Sequence, residues 1–162
     1  MTVPSVAQTP RGLFRLLARL PIWLYRAQLG WLLGNRFLML THIGRKSGMQ
    51  RHTVVEVVRY NAVTNTYFIV SGFGEKSDWF RNICKTPEVT VHVDRRHLAC
   101  VAKRISQDEA VREFKDYALR HPAAVRVLSR VLGYPWDETE ASYQELARLL
   151  PVVALQLRTA SE

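Results

Sequence analysis

Residues 44–51 read GRKSGMQR and directly follow the apolar run FLMLTHI, so two glycines, two arginines, a lysine and a serine share eight positions after what reads as a buried strand. Cations at Arg45, Lys46 and Arg51 repel one another on so short a loop unless an anion sits among them. Arg offers a planar fork to phosphate or carboxylate, Lys a point charge, and Gly44 and Gly48 let backbone N–H groups come close. A second glycine pair, in Ser71-Gly72-Phe73-Gly74, ends another apolar run. It is either a plain loop or a place where exposed N–H groups meet a flat or anionic ligand. Shortly after it, Trp79 and Asn82 stand three apart on one helical face. The indole could wall a pocket whose occupant the amide hydrogen-bonds, or the pair could be a core tryptophan and a surface amide.

Other chemistries find no support in the spacing. The four residues and second glycine that precede the lysine of a Walker loop are absent before Lys46, and Ser47 lacks the GxSxG context of a nucleophile elbow. His42, His52, His92, His97 and His121 show no metal-ligand spacing, and Cys84 and Cys100 form no CxxC, so no metal site is expected. Glu56 and Glu75 are isolated, leaving no acid/base carboxylate pair. If the protein is a catalyst, a bound cofactor supplies the reactive atom and the chain supplies position and charge. Lys and Arg outnumber Asp and Glu by 23 to 14, so the partners should be anionic. The cations are not interleaved with RNA-binding aromatics or set in a helix-turn-helix, so nucleic acid is not expected.

These residues need elements to hold them. The chain is long enough for one core. Strands are expected at 37–43, 51–60, 66–71, 89–93 and 97–105, with a final one in VVALQLR after Pro151. Ser77 and Asp78 start a short helix to about Thr86, which Pro87 stops. Ser106 with Glu109 has capping-box spacing for a helix over 107–121; Pro122 opens another that ends at Gly133, and a last one covers about 140–149. That is an α+β chain with an antiparallel sheet or small barrel. Residues 1–35 are expected as an N-terminal helical segment and 36–162 as the barrel domain with C-terminal helices. Over 11–33, apolar residues recur at helical spacing with Arg11, Arg15, Arg19 and Arg26 along one side. This segment either packs on the domain or lies on a membrane surface. Arginines and Pro21 break it, so it is neither a secretion signal nor a spanning helix, and the protein is expected in the cytoplasm, with peripheral contact at the inner face of the cell membrane as the second reading.

Taken in order, LTHIGRKSGMQR, a strand, YFIVSGFG, SDWFRNI and TPEVTVHV resemble the pattern of the deazaflavin (coenzyme F-420)-dependent nitroreductase and quinone reductase family. The resemblance covers about residues 36–105 and implies a split β-barrel, FMN-binding-like and antiparallel with about six strands. It further implies a flavin-like cofactor, reduced 8-hydroxy-5-deazaflavin, whose tail carries a phosphate and glutamates. By match to the motifs, Arg45, Lys46, Ser47, Gly48 and Arg51 would hold the phosphate and tail. Ser71, Gly72, Phe73 and Gly74 would lie along the ring, Val54 would touch the ring or substrate side, and Trp79 and Asn82 match the cofactor-binding WxxN positions. The implied reaction moves hydride to a small, flat, hydrophobic acceptor, a quinone or nitroaromatic, with Ser71, Tyr134 or Tyr143 donating a hydrogen bond as charge develops. Val54 and Val55 replace a common Pro-Leu, and Phe73 replaces smaller residues. These departures motivate the alternatives: an FMN- or FAD-dependent reductase, or a flavin, haem or lipid binder without turnover. Monomer and homodimer are both compatible with the sequence.

Overall fold

A computed structural model describes residues 36–159. The helical reading of 11–33, and with it the proposed segment 1–35, lies outside the described residues. Six strands, β1 (Phe37–Ile43), β2 (Gln50–Asn61), β3 (Thr66–Val70), β4 (Glu88–Val93), β5 (Arg96–Arg104) and β6 (Val152–Leu157), alternate with α1 (Asp78–Lys85), between β3 and β4, and with α2 (Gln107–Arg120), α3 (Pro122–Leu132) and α4 (Glu140–Leu149), between β5 and β6. Every neighbouring pair is antiparallel, and the strands close into a barrel in the order β1-β2-β3-β6-β5-β4. Closure removes the free sheet edges.

Period-two alternation fills the barrel. Leu38 and Leu40 of β1, Val55 of β2, Ile69 of β3, Val91 of β4 and Leu155 of β6 share one buried cluster, and α1 adds Phe80 and Ile83 to it. Outside, α2 to α4 cover the opposite face of β2, β3 and β6, with Val58, Val111, Phe114, Val125, Leu146 and Val152 in a second cluster. An irregularity between Val57 and Arg59 lets two successive residues of β2 face the helices. Val58 enters their core, while Arg59 makes two bonds to Glu113, at 2.9 and 2.6 Å.

The helix punctuation is local chemistry. Ser106 and Glu109 form the expected reciprocal cap of α2, and α3 runs from Pro122 to Gly133, whose left-handed φ of 66° ends it. Ser77 departs from expectation. It occupies the cap position of α1, but its hydroxyl makes no cap bond and pairs with Ser71 Oγ at 2.7 Å instead.

Candidate functional site

The GRKSGM loop joins β1 to β2 and is closed by its own backbone. Gly44 N–H donates to Met49 O and Gly48 N–H to Gly44 O, both at 2.8 Å. Gly48 sits at φ +68°, and a Cβ on Gly44 would stand 2.6 Å from Ser47 Oγ, so both glycines are geometric requirements of the loop. Helix α1 then ties the loop down. The backbone N–H and the Nη1 of Arg45 both donate to Asn82 Oδ1 at 3.0 Å, Arg45 Nη2 meets Asp78 Oδ1 at 2.9 Å, and Lys85 Nζ donates to Arg45 O at 3.0 Å.

Between loop and helix lies a cleft of about 540 Å³, lined on the loop side by Gly44, Arg45, Lys46 and Ser47, on β2 by Arg51, His52 and Thr53, and opposite by Phe73, Asp78, Trp79 and Asn82. Lys46 and Arg51 are exposed here, and among the described residues neither makes an ion pair. Arg45 differs from them, since Asp78 already neutralises its charge. Trp79 does two jobs: it lines the cleft and packs against the barrel core. Phe73 is 37% exposed on the facing turn.

Three histidines that the sequence left without a role stand here or close by. His42 lines the cleft at only 4% exposure, and its Nδ1 lies 3.1 Å from Asn82 Nδ2. Burial, then His52 and Arg51, lower its pKa to about 4 against the opposing pull of Asp78, so it is neutral near neutral pH. His52 lines the cleft too, and Thr41 Oγ1 joins its Nδ1 at 2.9 Å to His92 Nε2 at 3.0 Å across three strands. Burial, then His97 and His52, hold the pKa of His92 below the usual value. A polar residue two before Gly44, on the inward face of β1, is the signal that could have marked His42.

Of the residues singled out in the sequence, Arg45, Lys46, Ser47, Arg51, Phe73, Trp79 and Asn82 come together in the cleft. The others stand apart. Ser71 is fully buried and does not line the cleft, and its hydroxyl donates to Gly74 O at 2.7 Å, which fixes the 71–74 turn. Gly72 is exposed beside it, and Gly74 is buried. Val54 pairs across strands with Met39 and lies outside the cleft. Tyr134 lines a separate hollow of about 450 Å³ with Arg126, Arg130 and Trp136. Tyr143 stacks edge-on against Trp136 at 4.9 Å in the helical layer, because the apolar faces of α2 and α4 draw both aromatics there. None of Ser71, Tyr134 and Tyr143, the expected hydrogen-bond donors, lines the cleft. Asn82, expected to bond a ligand, has its oxygen committed to Arg45.

A family model described as F420H(2)-dependent quinone reductase matches residues 17–130. The chain belongs to that family. As a member it is an oxidoreductase that works with reduced coenzyme F-420. A solved structure of an F420-H2 dependent reductase is 21% identical over 75% of this chain and 94% of its own, with a TM-score of 0.53. One described as a domain-swapped dimer is 22% identical over 84% of this chain and 99% of its own, at 0.51. A protein of unknown function from Agrobacterium tumefaciens str. C58 is 19% identical over 98% of this chain and 60% of its own, also at 0.51. These likenesses show the split-barrel fold that the F420H(2)-dependent quinone reductase family shares. No curated protein sequence matches. Among the described residues no helix is long and apolar enough to cross a membrane.

The residues fit what a phosphorylated, carboxylate-bearing coenzyme would need. Two unneutralised cations flank a loop whose glycines bring the backbone within reach, and two aromatic faces border the same cleft. Among the described residues that line the cleft, Asp78 is the one carboxylate, and Arg45 balances it.

Proposed function

We propose that the cleft holds coenzyme F-420 and that the enzyme passes its hydride to a quinone-like or nitroaromatic acceptor. The observation that carries this is the pair Lys46 and Arg51, which make no ion pair among the described residues, beside Phe73 and Trp79. Lys46, Arg51 and Ser47 hold the phosphate and glutamate tail, while Arg45, fastened by Asp78 and Asn82, keeps the loop in place. Phe73 and Trp79 border the ring end, where an apolar, flat acceptor can stack against the donor face. When bound, the reduced coenzyme supplies the hydride. The chain supplies orientation and a desolvated wall, which together lower the barrier by removing the entropy of bringing two flat molecules face to face. The enzyme acts in the cytoplasm, and residues 11–33 give it a membrane-surface contact suited to a lipid quinone.

Fluorescence titration with the coenzyme tests the assignment. Lys46→Ala and Arg51→Ala are each expected to weaken binding by about ten-fold or more, the usual loss for a charge-assisted contact. Unchanged affinity in both, or tight binding of FMN or FAD with none of the deazaflavin, would overturn it.

A further inference from the structure

Arg45 fixes the orientation of the Asn82 amide. Its backbone N–H and its Nη1 can only donate, and both converge at 3.0 Å on one amide atom of Asn82, which must be the oxygen. The NH2 group is thereby turned to His42, 3.1 Å from Nδ1. A ring nitrogen that receives an N–H must present its lone pair, so the hydrogen of the neutral imidazole is on Nε2. Among the described residues, no side-chain nitrogen or oxygen that is cut off from solvent lacks a partner, and the bond to Asn82 is the one His42 makes. Nε2–H therefore keeps solvent access, through the cleft that His42 lines. Across the strand pair, His42 stands directly opposite Arg51.

We infer that His42 is a further ligand-binding residue, its Nε2–H donating from the cleft wall to an oxygen of the anion that Lys46 and Arg51 attract, and that Asn82 is the residue that positions it. A neutral donor suits this place. It adds a directed hydrogen bond without adding a third charge beside Arg51, and it stays a donor over the whole range in which the ring is neutral. Asn82 thus serves both sides of the cleft: its oxygen fixes the cationic loop and its nitrogen fixes the tautomer of the facing histidine. The inference rests on the coenzyme reading of the cleft. The oxyanion it receives is a phosphate or a carboxylate oxygen of the tail.

Long-range 1H–15N spectra of the full chain test it directly. His42 should show the Nε2–H tautomer, and its Nε2 hydrogen should shift on titration with the coenzyme. Inorganic phosphate and glutarate, added separately, identify the source: a shift with phosphate assigns the phosphate, a shift with glutarate the carboxylate tail. In Asn82→Asp the residue facing Nδ1 becomes an acceptor, so at alkaline pH the ring should switch to the Nδ1–H tautomer. His42→Phe, which keeps a ring and loses the donor, should raise the coenzyme Kd about ten-fold. The wild-type titration needs no variant to fold. An Nδ1–H tautomer in the wild type, or an Nε2 signal unmoved by a coenzyme whose binding Lys46→Ala and Arg51→Ala weaken, overturns the role of His42 and leaves the cleft assignment standing. Undiminished coenzyme binding in those two variants would instead remove the assignment on which it rests.

Discussion

His42 couples the cleft to stability. Its folded pKa is lowered by burial first and by His52 and Arg51 next, from 6.5 to about 4. Between those values the unfolded chain binds more protons at this position than the folded one, so stability falls as pH drops through the window and is fully present above it. At 1.36 kcal/mol per pH unit the whole linkage is about 3 kcal/mol. Urea unfolding at a series of pH values should show a shallower acid loss for His42→Phe than for wild type across that interval. Equal slopes would mean that His42 is not held neutral by the fold. The depressed carboxyl groups of Glu109 and Asp137, and the lowered pKa of His92, act in the same direction, but they remain in both proteins and cancel in the difference. At this scale the sequence was legible only in part. Residue type read Arg45, Lys46 and Arg51 as one cationic group suited to an anion. It could not separate Arg45 from the other two, because the groups that bind it, Asp78 and Asn82, are 33 and 37 positions away. The tautomer of His42 rests on a contact 40 positions distant and is invisible from any local pattern.

Elements were the most legible part. Strand alternation, the Ser106–Glu109 cap, Pro122 and Gly133 are each signalled within a few residues, and the observed bounds follow them closely. Ser77 shows where local reading fails. A serine before Asp78 is a good cap residue by type, yet a second buried hydroxyl on Ser71, six residues earlier, competes for it and wins. The same competition took Ser71 out of the cleft. Tyr134 and Tyr143 stand apart from the cleft for another reason: an aromatic beside a helix end serves a pocket or a core equally well, and the deciding partner, the apolar face of α2, is a tertiary fact. Barrel and helical layer form separate clusters, and the cleft belongs to the first. Leu146, fully buried in the helical cluster, lines none of the cleft. Leu146→Ala should therefore lower unfolding free energy by about 2–5 kcal/mol while the coenzyme Kd, measured well below the melting point, stays at the wild-type value. A matching loss of affinity would show that the helices and the cleft are one cooperative unit.

The molecule as a whole carries a formal charge of +9, and the question is whether that charge or its placement brings in an anionic coenzyme. The carboxylates are not spread at random. Glu56, Glu75, Asp78, Glu113, Asp116, Glu140 and Glu145 each face an arginine or lysine, so much of the acidic surface is neutralised by its own neighbours. Lys46 and Arg51 have no such partner among the described residues, and they stand at the mouth of a cleft whose low-dielectric walls concentrate their field. At physiological ionic strength the screening length is about 8 Å, so distant cations contribute little there and the two at the cleft contribute most. Placement should therefore decide the approach. Stopped-flow association of the coenzyme is expected to slow about ten-fold or more from low to high salt, and the double variant Lys46→Ala with Arg51→Ala should lose most of that dependence. If net charge were the driver, the double variant would keep 9 − 2 = 7 of its nine excess charges and with them most of the salt slope. A slope barely altered by the two substitutions would transfer the attraction from the cleft to the general basicity of the surface.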